Sequence, residues 1–209
     1  MANEQYNIGP CLALLGDPTT ASGMTYLGPT RGNVTIQPQI QIHTGMVDQS
    51  GMIPRADAIF NSGPQPVASV PLVDEAIEKL QLLLSGSSVQ TSGSDKALLL
   101  GSGVKQIAVS DINTFCVIPM NEISDGVTAA NGWWFPRAIT TSFGNITFTL
   151  PSGNDLLSNQ ARTTTITSLY YETDQAGTTV PADARPGFRG DPSIAGLTGW
   201  QLPDLTTLV

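Results

Sequence analysis

Charge is what this sequence has least of. Only 12% of its 209 residues are Asp, Glu, Lys or Arg, about half the usual quarter. Thr, Ser, Gln, Asn, Gly and Pro stand in the missing places. A monomer normally stays in solution by wearing charge, so a surface this poor in it predicts that much of it is covered by other subunits. A neutral extracellular β protein is the plainer alternative. The nine basic residues are scattered singly from Arg31 to Arg189 and never form a run. Tight phosphate binding needs clustered cations that release counterions, so avid nucleic-acid binding is not expected.

Other absences narrow the field further. Cys11 and Cys116 are the two cysteines and His43 the single histidine, too few for a zinc site without acidic help. Buried free thiols are the expectation. No apolar run approaches the roughly 18 residues of a membrane helix. Met1–Gln5 lacks the basic, apolar and small-residue order of a signal peptide, which predicts a soluble, unexported chain. No phosphate-binding G-x-x-x-x-G-K-[ST] loop and no G-x-S-x-G elbow is present, and His43 falls on the polar phase of a strand pattern. The acidic clusters Asp74/Glu75/Glu78 and Glu172/Asp174 read as solvated charge, the second pair sharing one side of a strand end. No catalytic constellation emerges: the sequence predicts no enzyme, no cofactor and no metal.

What is present is mostly strand and turn. Val34, Ile36, Ile40 and Ile42 alternate with polar residues, with Pro38 breaking the run at an edge or bulge. Ile146–Leu150 alternates after a Gly144-Asn145 turn, and Thr163–Tyr171 is rich in β-branched and aromatic residues. Shorter candidates are Val67–Leu72, Val104–Val109, Phe115–Met120 and Trp134–Thr140. One helix is predicted over about 73–85, where Ala76, Ile77, Leu80, Leu83 and Leu84 share a face. Asp74 and Glu75 suit its first turn and Gly86 its end. This pattern predicts a mainly β fold, a β-sandwich or barrel with one flanking helix.

Two stretches resist that scheme. Residues 44–66 carry Gly45, Gly51, Pro54, Gly63, Pro64 and Pro66 and read as a long loop, which in a compact domain signals function or disorder. Residues 177–209 show no periodicity yet hold Phe188, Ile194, Leu197, Trp200, Leu202 and Leu205. A linker would not carry such residues. They form either a coil folded back on its own domain or an extended C-terminal arm reaching a neighbour. The expected organisation is one β-sandwich domain over 1–176 followed by a Pro/Gly-rich arm over 177–209.

Several segments in order resemble the tail tube (major tail) protein family of tailed bacteriophages. Leu27-Gly28-Pro29-Thr30-Arg31-Gly32-Asn33-Val34 is similar to its G-x-T-x-G-G-V stretch before the first long strand, with Asn33 in place of the second glycine. Val47-Asp48-Gln49 followed by Ile53-Pro54 resembles its V-D-Q loop, which contacts the adjacent ring. Val67–Leu72 running into Val73–Leu80 resembles its strand-then-helix unit, and Phe135-Pro136-Arg137-Ala138 its late hairpin. The matching order covers roughly Gly28 to Asp174; residues 177–209 have no counterpart in it.

The resemblance implies a virion protein of the phage tail, made in the host cytoplasm. Copies would form hexameric rings that stack into a tube, meeting other virion proteins at its ends, with DNA passing through unbound and no membrane involved. Sheet edges, otherwise an aggregation hazard, would close the ring. Val47, Asp48, Gln49 and Ile53 are then the inter-subunit candidates in the loop, and Phe188, Trp200, Leu202 and Leu205 those in the arm. A head–tail connector, tail-terminator or capsid decoration protein is the alternative. More distant is a carbohydrate-binding β-sandwich, prompted by Trp133, Trp134, Tyr170 and Tyr171.

Overall fold

The computed structural model describes residues 11–20, 22–47, 53–73, 76–101, 107–109, 112–119, 132–145 and 161–201, with side chains outside 40–47 and 53–62. Its elements in chain order are β1 (Cys11–Gly16), β2 (Met24–Tyr26), β3 (Thr35–Gln37), β4 (Ile40–Val47), β5 (Ile53–Pro64), β6 (Val67–Leu72) and α1 (Ile77–Leu83). Then follow β7 (Ser88–Ser92), β8 (Asp95–Leu99), β9 (Asn113–Pro119), β10 (Trp133–Phe143), β11 (Arg162–Ser168) and β12 (Phe188–Arg189). The protein is mainly β with antiparallel sheets and one α-helix among the described residues.

The main sheet runs β2-β1-β9-β10-β11-β6-β3. Its two end strands are neighbouring parts of one bent segment. After β2, Leu27 N still donates to Ala13 O at 2.9 Å. Three residues on, Thr30 bridges Leu72 of β6 and Arg31 N donates to Pro71 O. The segment from Met24 to Gln37 thus pairs with β1 at one end and β6 at the other, and the sheet closes into a barrel. Closure leaves only the short β2 and β3 with a free side in this sheet among the described strands, far less edge than an open sheet would carry.

Inside lies the main core: Ala13 and Leu15 of β1, Phe115 and Val117 of β9, Phe135 and Ala138 of β10, Ile166 of β11, and Ala68, Val70 and Leu72 of β6. Leu83 of α1 packs into the same cluster. The helix is shorter than the sequence pattern suggested. Val73 N donates to Pro29 O, which holds the chain extended past the end of β6. Gly86, at φ +85°, turns the chain just beyond the helix.

β1, β9 and the first half of β10 are buried on both faces. Leu12 and Leu14, Cys116 and Ile118, and Trp134 point outward into a second buried cluster with Met24. Strands with two buried faces read as unbroken apolar runs, which explains Leu12–Leu15, Phe115–Ile118 and Trp133–Phe135. The β1–β2 turn is equally constrained: a Cβ on Gly16 would sit 2.0 Å from Gly23 O, and one on Gly23 2.0 Å from Asp17 O.

Burial sets the chemistry of Cys116, which is fully buried and free. Desolvation raises its pKa far above the ordinary thiol value, and partial burial pushes that of Cys11 upward. In the native protein Cys116 should react with a thiol reagent at least about tenfold more slowly than in denaturant, since only the thiolate attacks. The folded form binds the proton more tightly than the unfolded one. Stability contributed by the protonated thiol is therefore present below 9.0, the ordinary value, and is lost as pH rises above it. A urea titration at pH 8 and pH 10 reads that slope.

The expected long loop over 44–66 is not a loop. Most of it is strand: β4 continues to Val47, and β5 runs from Ile53 to Pro64. Pro54 and Pro64 fall at the second and last positions of β5, and Pro66 lies between β5 and β6, where proline's missing N–H costs little. Pro38 separates β3 from β4 as its break in the alternation predicts. Ile146–Leu150 lies outside the described residues, as does most of Val104–Val109.

Candidate assembly surface

β4 and β5 form a two-stranded antiparallel sheet that pairs with no other described strand. Gln65 N donates to Gln39 O at 2.9 Å and closes its base, with Ile40 opposite Pro64. At the far end Val47 pairs with Ile53. Two inter-subunit candidates thus face each other across the hairpin tip, and the other two, Asp48 and Gln49, lie outside the described residues. Strands of 8 and 12 residues at about 3.4 Å per residue make this ribbon some 25 Å long. A lone hairpin is marginal in water, so a ribbon of this length calls for something to pack on.

The barrel's outer surface has two contrasting sides. Over β1, β9 and the start of β10 it is covered by the chain's own 177–201 segment. Phe188 of β12 pairs with Trp134 and their rings stack at 6.3 Å. Trp200 lies 5.6 Å from the Trp134 ring and 6.2 Å from Phe188. Val180, Ala184 and Leu197 form a small buried cluster beneath them. Of the two options for this segment, fold-back describes it through Gln201, and the extended-arm option fails that far. Phe188 and Trp200 are therefore cover for their own domain, while Leu202 and Leu205 lie outside the described residues.

A polar lock fastens this cover. Arg137 sits in a bulge of β10, where Pro136 and Arg137 oppose the single Thr114 of β9 between the pairs Phe135↔Phe115 and Ala138↔Asn113. Arg137 is 3% exposed. Its Nε donates to Thr173 O (2.9 Å), Nη1 to Ile112 O (2.9 Å) and Val109 O (3.2 Å), and Nη2 to Asp174 O (2.5 Å). Burial lowers its pKa, and the negative charge of Asp174 opposes that shift. The buried Asp174 carboxylate accepts Thr178 N at 2.8 Å and Trp200 Nε1 at 3.0 Å. Sequence reasoning missed Arg137. Its one available signal was a charged residue inside the apolar run Trp133–Ile139.

The opposite side, over the end of β10 with β11, β6 and β3, bears no such cover among the described residues. Register places Ile139, Thr167, Val67 and Gln37 in one cross-strand row, and Ser142, Thr165, Ser69 and Thr35 in the next. None of the eight is charged. Thr141 Oγ1 and Thr167 Oγ1 share a hydrogen bond of 2.9 Å on this face.

The pairing of Glu172 with Asp174 does not survive folding. β11 ends at Ser168, so strand alternation no longer governs them. Asp174 is buried, whereas Glu172 is exposed with Arg185 Nη1 3.7 Å away. Glu78 bonds Lys96 of β8, which lowers its pKa. Among the described residues no three His, Cys, Asp or Glu side chains come close enough to hold a metal. No helix among them is long and apolar enough to cross a membrane. Of the four aromatics that prompted a sugar platform, Trp134 is fully buried, whereas Tyr170 is 65% exposed.

No family model matches the chain, and no curated protein matches it.

Proposed function

We propose that this protein is a non-enzymatic structural component of a phage virion, a tail-tube subunit that builds hexameric rings and stacks them into a DNA conduit. The observation that carries the reading is the β4–β5 hairpin. It stands on a closed barrel, pairs with no other described strand of its own chain, and ends at the segment resembling the family's ring-contacting V-D-Q loop. The uncharged sheet face adds support. Copies carrying a net charge of −8 each repel one another, and approach is least opposed where neither presents charge. Tube-end proteins of the virion are the further partners in this reading, and duplex DNA is in transit rather than held.

Purified protein at micromolar concentration should sediment as hexamers or longer polymers, and negative-stain micrographs should show rings or tubes. At about 0.15 M salt the same material should leave duplex DNA unbound, since no basic cluster exists to displace counterions. Single rings that never stack would instead mark a terminator or connector. A monomer across the whole concentration range, or submicromolar DNA affinity, would overturn the reading.

A further inference from the structure

A cleft of about 540 Å³ opens between the base of the β4–β5 hairpin and the turn around the short 3-10 helix Ala182–Ala184. Pro64, Gln65, Tyr170, Asp183 and Pro186 are among its lining residues. Its size falls within the range of about 300–1,000 Å³ usual for small-ligand sites. Tyr170 is the side chain that gives it character. At 65% exposure it is among the most exposed large hydrophobics described. Yet it is not loose: the Arg185 guanidinium lies 5.5 Å from the ring centroid, and Arg185 Nη1 donates to the phenol oxygen at 3.3 Å. Arg185 Nε in turn donates to Val180 O at 3.0 Å, which ties the clamp to the buried Val180 cluster. Arg185 does not line the cleft, whereas Tyr170 does. One side of a fixed aromatic ring is thus braced and the ring is presented to the cleft.

We propose that this cleft binds a neutral saccharide, with Tyr170 as the stacking platform and Asp183 and Gln65 as hydroxyl-binding groups. The face of an aromatic ring carries negative quadrupole potential, and the C–H face of a pyranose is its complement. A carboxylate and an amide beside it accept and donate to sugar hydroxyls. Other ligand classes fit less well. An anion would meet Asp183 with no cation among the described lining residues, on a protein of net charge −8. A lone carboxylate is too little for a metal, and an extended apolar ligand would find one ring and two prolines in an open cleft. Because the ring is already held, little ordering remains to be done on binding. This inference goes beyond the assembly reading and stands independently of it.

The test is ligand-observed saturation-transfer NMR on the full chain, with maltotriose, cellotriose and chitotriose as probes and AMP as an anionic, stackable control. At least one trisaccharide should bind with a Kd of about 0.1–10 mM, the weak end of the affinity scale. Tyr170→Ala should weaken it at least about tenfold, while Tyr170→Phe, which keeps the ring, should stay within about threefold. Circular dichroism confirms that each variant is folded. Silence from all three sugars at about 10 mM, binding indifferent to Tyr170→Ala, or AMP outcompeting every sugar at the same residue would each overturn the proposal.

Discussion

Arg137→Met should cost the protein about 3–5 kcal/mol, the range seen when one member of a buried charged network is removed. The guanidinium spreads its donors over four backbone carbonyls, at Thr173, Val109, Ile112 and Asp174. Methionine fills much of the same volume, so packing is largely kept while the donors vanish. Val109 O, Ile112 O and Asp174 O each keep a donor, from Ile112 N, Gln175 Nε2 and Gly177 N. The loss therefore falls on Thr173 O, at roughly 1–3 kcal/mol for a buried carbonyl stripped of its donor, and on the buried Asp174 charge that Arg137 offsets. The chain segments involved are far apart in sequence, one before β9 and one after β11, and Gln175 Nε2, donating to Ile112 O at 3.2 Å, is a second tie between them. Arg137→Lys keeps the charge but not the planar fork, and should fall in between. Urea denaturation followed by tryptophan fluorescence measures both. A methionine variant within 1 kcal/mol of wild type would show that the two loops hold without the guanidinium.

The barrel and its strands were only partly legible in the sequence, for identifiable physical reasons. Val67–Leu72 was readable to the residue, because Ala68, Val70 and Leu72 face the core and their neighbours do not. β1 was not, because Leu12 and Leu14 serve one buried cluster while Ala13 and Leu15 serve another. Two-faced burial erases the alternation that marks a strand. Residues 44–66 misled in the other direction. Their glycines and prolines suggested a loop, yet the prolines occupy positions in β5 and after it that ask nothing of an N–H.

Barrel closure was invisible as well. It depends on the short pairings of Leu27 with Ala13 and of Thr30 with Leu72, which no local pattern announces. The same holds for the lock on the C-terminal segment. That Trp200 would be worth an anchor was legible from its size. That its partners are Trp134, Phe188 and Asp174 was not, since they come from three distant stretches of chain. Tyr170 was flagged as one of four aromatics, but only exposure separates it from Trp134.

Deletion of residues 177–209 should abolish cooperative folding rather than leave a folded core. The sequence alone predicts the milder outcome, because the segment holds no predicted strand or helix. The structure reverses this. Removing it strips Phe188 and Trp200 from Trp134 and uncovers the outward cluster of Leu12, Leu14, Cys116 and Ile118. It also leaves the Asp174 carboxylate without Thr178 N and Trp200 Nε1. Trp200→Ala isolates the central part of this effect and should cost about 3 kcal/mol, the low end for Trp→Ala because the ring is only half-buried. Trp200→Phe keeps most of the ring packing and loses the indole donor, so about 1.5–3 kcal/mol is expected, as for a hydrogen bond to a charged group. If that bond is the cause, Trp200→Phe combined with Asp174→Asn should cost measurably less than the two single losses added together. Near-UV circular dichroism and the sharpness of the urea transition are the readouts, with assembly scored separately by sedimentation. A truncated chain that keeps a native near-UV spectrum and a single sharp transition, yet no longer assembles, would return these residues to the subunit interface.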